Sequence, residues 1–171
     1  MMRTYDTVAN PRARQFLHTF FTDRQINREF YELVPDDQFD FRMVDRPERR
    51  SDSPRESLAH QIRVQHEYMA AIESGELRLG MLYEMELLLR LRPKNVLLQE
   101  LDSADQTLVR LLSDDENANR MIAVPWDAEK QDVITVLQGL DAHEILHTGW
   151  NLAVMDHLNI KRFASLRAVW G

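Results

Sequence analysis

The 171-residue chain has no cysteine. Disulfides, thiolate metal sites and a protein thiol nucleophile are therefore excluded. Any metal must be held by histidine, carboxylate, backbone oxygen or water. Glycine and proline are scarce, at five and six residues. With Leu, Glu, Arg, Ala and Met frequent, that scarcity leans the chain towards helix. No apolar run approaches the roughly 20 residues of a membrane span. No apolar h-region follows Met1-Met2-Arg3-Thr4-Tyr5-Asp6, so no signal peptide is expected and the cytoplasm is the expected compartment. Excess positive charge is also missing: the net charge is −7 and the pI about 5.4. Such a chain is poorly suited to nonspecific nucleic-acid or anionic-membrane binding. What is present is ordinary globular composition, 44% hydrophobic and 29% charged. That is enough for one domain, residues 1–171, with a sizeable core.

Residues 1–10 read as a lead-in. From Pro11 to about Leu33, apolar residues recur at helical spacing through Phe16, Phe20, Ile26, Phe30 and Leu33. Asn10 suits a cap, Pro11 the first turn, and Pro35 a stop. His18 in this helix reads as a surface or boundary residue. Residues 34–52 form a polar connection whose basic run, Arg46-Pro47-Glu48-Arg49-Arg50, is either solvated loop or an anion contact near a site mouth. Ser53-Pro54-Arg55-Glu56 has the spacing of a capping box and predicts a helix over 54–74, with Gly75 as terminator. A short helix is expected within Met81–Leu91. A third main helix is expected over 95–112 behind an Asn95 cap, and a polar break over 114–119. Met121 to Trp126 reads as extended, because Pro125 disfavours helix before it. The longest helix is expected over 128–158, with a stripe of Val133, Val136, Leu140, His143, His147, Trp150, Val154 and His157. Ile160 to Gly171 is a tail in which Phe163 and Trp170 are available for docking. The expected fold is all-α, a four-helix bundle with a long connection between helices two and three and no convincing strand.

Two of the six histidines, His143 and His147, stand four apart in the longest helix, on one face and one turn apart. Two imidazoles so placed can reach one metal ion, and a further ligand must come from elsewhere. Taken literally, His143-Glu144-x-x-His147 is the zincin pattern, with Glu144 as general base. A zincin draws its third ligand from downstream, and His157 lies about 15 Å further along the same helix. The upstream candidates are His60 and His66, which point about 120° apart and are not expected to share an ion. The apolar stripe of the second helix, Leu58, Ile62, Met69 and Ile72, favours His66 as the inward residue, with His60 beside Val64, Tyr68 and Ala71.

The chain resembles the DinB-like (YfiT-like) superfamily of bacterial four-helix metalloproteins. The resemblance rests on Ser53-Pro54-Arg55-Glu56-Ser57-Leu58-Ala59-His60, similar to a capped helix two with a ligand histidine seven residues after the cap. It rests also on His143-x-x-x-His147-x-Gly149, similar to the paired ligands followed by glycine. Helix order and lengths extend the similarity over most of the chain. The resemblance implies His60, His143 and His147 as ligands of a divalent ion, Zn or Ni, with an open position; His66 remains the alternate to His60. Trp150 departs from the polar residue often found after that glycine. Tyr68, Trp126, Glu144 and Trp150 are candidate pocket residues, and Asp141 or Asp127 is a candidate for orienting a ligand imidazole.

The resemblance further implies a metal-dependent enzyme acting on a small molecule, either a transferase using a low-molecular-weight thiol or a hydrolase. A homodimer is expected, and nucleic-acid and membrane partners are not. The alternative from another class is a non-enzymatic bundle that binds a metal or small ligand. No catalytic residue is assigned from the sequence.

Overall fold

Asn10 opens the first helix: its side-chain oxygen accepts the backbone N–H groups of Arg12 and Ala13 at 3.0 and 3.1 Å, two of the four donors a helix start leaves unpaired. The computed structural model describes residues 5–171; the first four residues of the expected lead-in lie outside them. Helix α1 runs Pro11–Leu33. The second helix, α2, runs Pro54–Ser74, and its capping box is formed on both sides, Ser53 with Glu56. It ends at Gly75, whose φ of 76° is the left-handed conformation that glycine adopts without strain. Helices α3 (Tyr83–Leu89), α4 (Lys94–Leu112) and α5 (Asp115–Ala118) follow. The longest helix, α6, runs Val133–Leu158, and α7 runs Ala164–Trp170.

Four expectations need correction. Helix α6 begins at Val133 rather than near 128, because Gln131–Asp132 pairs with Met121–Ile122 as a two-residue antiparallel ladder and the Asp132 side chain caps the helix through the Thr135 N–H. We number these strands β3 (Met121–Ile122) and β4 (Gln131–Asp132). The start of α4 is set by Pro93 in the cap position, not by Asn95. The basic run is a hairpin, β1 (Asp45–Arg46) with β2 (Arg49–Arg50), exposed on the surface, in which Arg50 pairs with Asp45. Strands two residues long carry no detectable period, which is why the sequence shows none. In the tail, Leu166 is the buried anchor on α7, while Trp170 stays half exposed.

The architecture is all-α apart from these two strand pairs. Helices α1, α2, α4 and α6 form the bundle. Helices α1 and α6 run the same way, with Arg12 beside Asp132 at one end and Asn27 on Thr148 further along. Helix α2 runs against α6, since Ser57 meets His147 and His60 meets His143. It runs with α4: Leu58 and Ile62 share an apolar cluster with Leu97 and Leu101, and Met69 and Ile72 share another with Leu108 and Leu112. Parallel neighbours need a crossover, and residues 75–93 supply it, carrying α3 across the outside of α2. This is the long connection expected between the second and third main helices.

The two apolar clusters are separated by a polar layer. At its centre is Arg24, 2% exposed, which donates to Gln65 Oε1 at 2.7 Å and lies 3.2 Å from Glu144 and 3.5 Å from Asp105. Asn27, buried, donates to the Glu144 carboxylate and accepts from Thr148 and Asn151. Its members come from all four helices of the bundle, so the layer specifies how the four helices meet. No helix among the described residues is long and apolar enough to cross a membrane.

Candidate metal centre

Three imidazoles converge between α2 and α6. The capped start of α2 places His60 nearly two turns in. The i, i+4 spacing on α6 places His143 and His147 one turn apart facing it. The Nε2 atoms of His60 and His143 are 3.1 Å apart, and those of His143 and His147 are 3.2 Å apart. Among the described residues no carboxylate joins the cluster, and the group able to hold an ion consists of these three.

The chemistry of the donor set fits a metal. At a metal–nitrogen distance of about 2.0–2.1 Å, ligand nitrogens separated by tetrahedral or right angles lie about 2.9–3.4 Å apart. Both observed separations fall in that interval. The far nitrogens of two rings are held. His147 Nδ1 lies 2.9 Å from Ser57 Oγ, which lies 2.9 Å from the fully buried Tyr31 hydroxyl, itself bonded to Gln61. His60 Nδ1 lies 3.2 Å from Glu86 Oε2 on α3. His143 Nδ1 is buried without a partner.

Burial favours the uncharged form of His143 and His147, the two rings contributed by α6. Burial, with the neighbouring His60 next, pushes His143 down to about 4. Burial and the two adjacent imidazoles push His147 down to about 2. Neutral imidazole is the ligating form. Burial alone would raise Glu86, yet hydrogen bonds from His60, Arg90 and Arg63 bring it down to about 2, so it is a carboxylate at neutral pH.

The remaining candidates lie elsewhere. His66 faces a groove between α2, α3 and α4 lined by Ile62, Met85 and Glu100. Tyr68 belongs to the other apolar cluster, against Gly139. Trp126 is 56% exposed in the loop before β4. Trp150 packs edge-on to Phe30, with ring centroids 6.3 Å apart. Glu144 is completely buried in the polar layer and turned to α1, not to solvent. Asp127 accepts from the Glu129 N–H and from Gln131 in its own turn. Asp141 orients no imidazole: its Oδ1 is buried without a partner. Burial and the nearby Asp23 raise it to about 6. His157 is exposed and bonds the Ala153 carbonyl.

Sequence reasoning missed Ser57, Tyr31 and Glu86. Ser57 stands three residues before His60, on the side of α2 that meets α6, and helical spacing could have located it. Glu86 has no such local signal, because it reaches the site from the crossover.

No family model and no curated protein matches this sequence. Among solved structures, it is similar to YjoA, a DinB-like protein of Bacillus subtilis. The TM-score is 0.65 at 19% sequence identity, over 88% of this chain and 95% of that one. At that identity the likeness is one of architecture, and on it the chain has the DinB-like fold.

Proposed function

We infer that the protein binds one divalent transition-metal ion through Nε2 of His60, His143 and His147, and works as a metal-dependent enzyme on a small molecule. The observation that carries this reading is the convergence of three Nε2 atoms, two of whose rings are backed at Nδ1. An all-imidazole donor set suits Zn²⁺ or Ni²⁺. Three protein ligands leave room for a water or substrate atom in the coordination sphere.

A bound ion at such a position lowers the pKa of a coordinated water or thiol towards neutrality. The chain itself offers no thiol, so a transferase reaction here requires a low-molecular-weight thiol from solution. We favour that transferase reading; hydrolysis is the second outcome of the same experiment. A protease mechanism with Glu144 as base lacks support, since its carboxylate is engaged by Asn27 and Arg24.

The test is elemental analysis of tag-free protein beside His60→Ala, His66→Ala and His147→Ala, followed by activity screens of the loaded protein. One equivalent of Zn or Ni, lost in the His60 and His147 variants and kept in the His66 variant, is expected. Thiol-dependent consumption of an electrophile supports transfer, and cleavage of an ester or amide without thiol supports hydrolysis. Metal binding with neither activity would make the protein a binding bundle. No metal uptake after reconstitution with both ions would overturn the site.

A further inference from the structure

Helix α2 carries Glu56, His60, Arg63 and Glu67 at spacings of four, three and four, so all four lie on one face. That face is covered by the crossover. Glu67 accepts the Leu82 N–H at the start of α3 at 3.0 Å. Arg63 reaches Glu67 at 2.5 Å and Glu86 Oε2 at 2.7 Å. Arg90 holds the other oxygen of Glu86 and lies 3.7 Å from Glu56. Glu86 is only 2% exposed. A short helix has thus been docked by its charged side, while Leu87, Leu88 and Leu91 remain on the outside.

His60 Nδ1 faces two groups of this array that make opposite demands. Glu86 Oε2, at 3.2 Å, can only accept a proton; Arg63 Nη2, at 3.0 Å, can only donate one. One ring nitrogen satisfies one of them at a time. If Nδ1 carries the hydrogen, Glu86 takes it and Nε2 presents a lone pair to His143 and His147. If Nδ1 is bare, Arg63 donates to it and the hydrogen sits on Nε2, where it blocks the cluster.

We propose that Glu86 is a positioning residue that holds His60 as the Nδ1–H tautomer, so that its Nε2 lone pair is available to a metal. The ionised carboxylate, fixed by Arg63 Nε and by Arg90, makes the stronger claim on Nδ1 because its bond to the imidazole is charge-assisted. A carboxylate behind a ligating histidine also raises the basicity of the ligand. The crossover is thereby part of the site, although it supplies no ligand.

This proposal rests on the metal-binding reading only for its consequence, and the two are separable by experiment. Long-range ¹⁵N–¹H correlation spectra of the metal-free protein report which nitrogen of His60 is protonated. Wild type is expected to show Nδ1–H, and Glu86→Gln to shift His60 towards Nε2–H, with Glu86→Asp in between. Zinc affinity, read by competition with a chromophoric chelator, is expected to fall about 10- to 100-fold in Glu86→Gln and to recover partly in Glu86→Asp. Circular dichroism of each variant checks that the helices are retained. An Nε2–H tautomer in wild type, a tautomer unchanged in Glu86→Gln, or an unchanged zinc affinity beside a shifted tautomer would overturn the proposal. Absence of zinc binding in wild type would instead overturn the metal-binding reading, and the tautomer measurement alone would decide the role of Glu86.

Discussion

Glu144 directly follows His143 in the chain, yet it faces α1 while His143 faces α2: Glu144 Oε2 accepts from Asn27 Nδ2 at 2.9 Å. Adjacent residues on a helix point about 100° apart, and here that angle separates a structural carboxylate from a candidate ligand. Burial raises the pKa of Glu144 and Arg24 opposes the rise. Removing one member of a buried charge pair costs about 3–5 kcal/mol. Glu144→Ala is therefore expected to lose stability of that order in urea unfolding. The zinc content per folded molecule should stay at the wild-type value. Loss of zinc with unchanged stability would place Glu144 in the site instead of the layer.

The same layer explains which parts of the structure were readable. Asn10-Pro11, Ser53-Pro54-Glu56 and Gly75 mark helix ends through their own backbone chemistry, and the structure has them there. The stripe expected on α6 holds from Val133 to Leu140, departs over the next turns, and is buried again at Val154. The buried line continues through Glu144, Thr148 and Asn151, which are polar, so apolar periodicity instead follows the neighbouring line through His143 and His147. On α2 the apolar stripe pointed to His66. That helix is buried on nearly every side, against α3, α4 and α6, so no single stripe defines its inward face. The juxtaposition of His60 with His143 came from the motif resemblance. Glu86 comes from a separate helix of the crossover, and nothing local in the sequence announces it.

Gly139 is where α6 passes closest to the Tyr68 side chain. A Cβ added there would stand 2.7 Å from the Tyr68 hydroxyl oxygen, and Tyr68 is only 6% exposed. Alanine gains about 1 kcal/mol of helix propensity over glycine, while overpacking a core costs about 1–3 kcal/mol. Gly139→Ala is expected to be net destabilising, with a lower Tm. Gly139→Ala combined with Tyr68→Phe removes the colliding oxygen and should recover much of the loss. A higher Tm for the single variant would mean that Tyr68 moves aside freely.

The depressed histidines predict a pH signature in the metal-free protein. His143 at about 4 and His147 at about 2 both lie below the ordinary imidazole value of about 6.5. The unfolded chain therefore takes up these protons first as pH falls. Their contribution to stability is whole above about pH 6.5 and is lost as pH drops through that value towards the folded pKa values. Asp141, raised to about 6, titrates in the same range, so the measurement is a difference: unfolding free energy of wild type minus that of His143→Gln/His147→Gln. That difference should be flat from pH 8 to 7 and decline from pH 6.5 to 4.5. A flat difference across the whole range would mean that the two rings are solvated.

Ser57 tests whether the hydrogen bond behind His147 serves the ligand or only the fold. Its hydroxyl joins His147 Nδ1 to the Tyr31 hydroxyl, at 2.9 Å on each side, so Ser57→Ala strips a partner from both. Losing the support behind a ligating imidazole weakens metal affinity about 10- to 100-fold. The Tyr31 hydroxyl keeps Gln61 as a partner, so the lost hydrogen bond costs about 0.5–1.5 kcal/mol. Both effects are expected in Ser57→Ala. Tyr31→Phe separates them, because it removes the distal hydroxyl and leaves Ser57 in place behind His147. That variant should lose stability and keep zinc affinity close to wild type. If Tyr31→Phe weakens zinc as much as Ser57→Ala does, the chain acts through the stability of the helix pair. If only Ser57→Ala weakens it, the serine orients His147 directly, as Glu86 is proposed to do for His60.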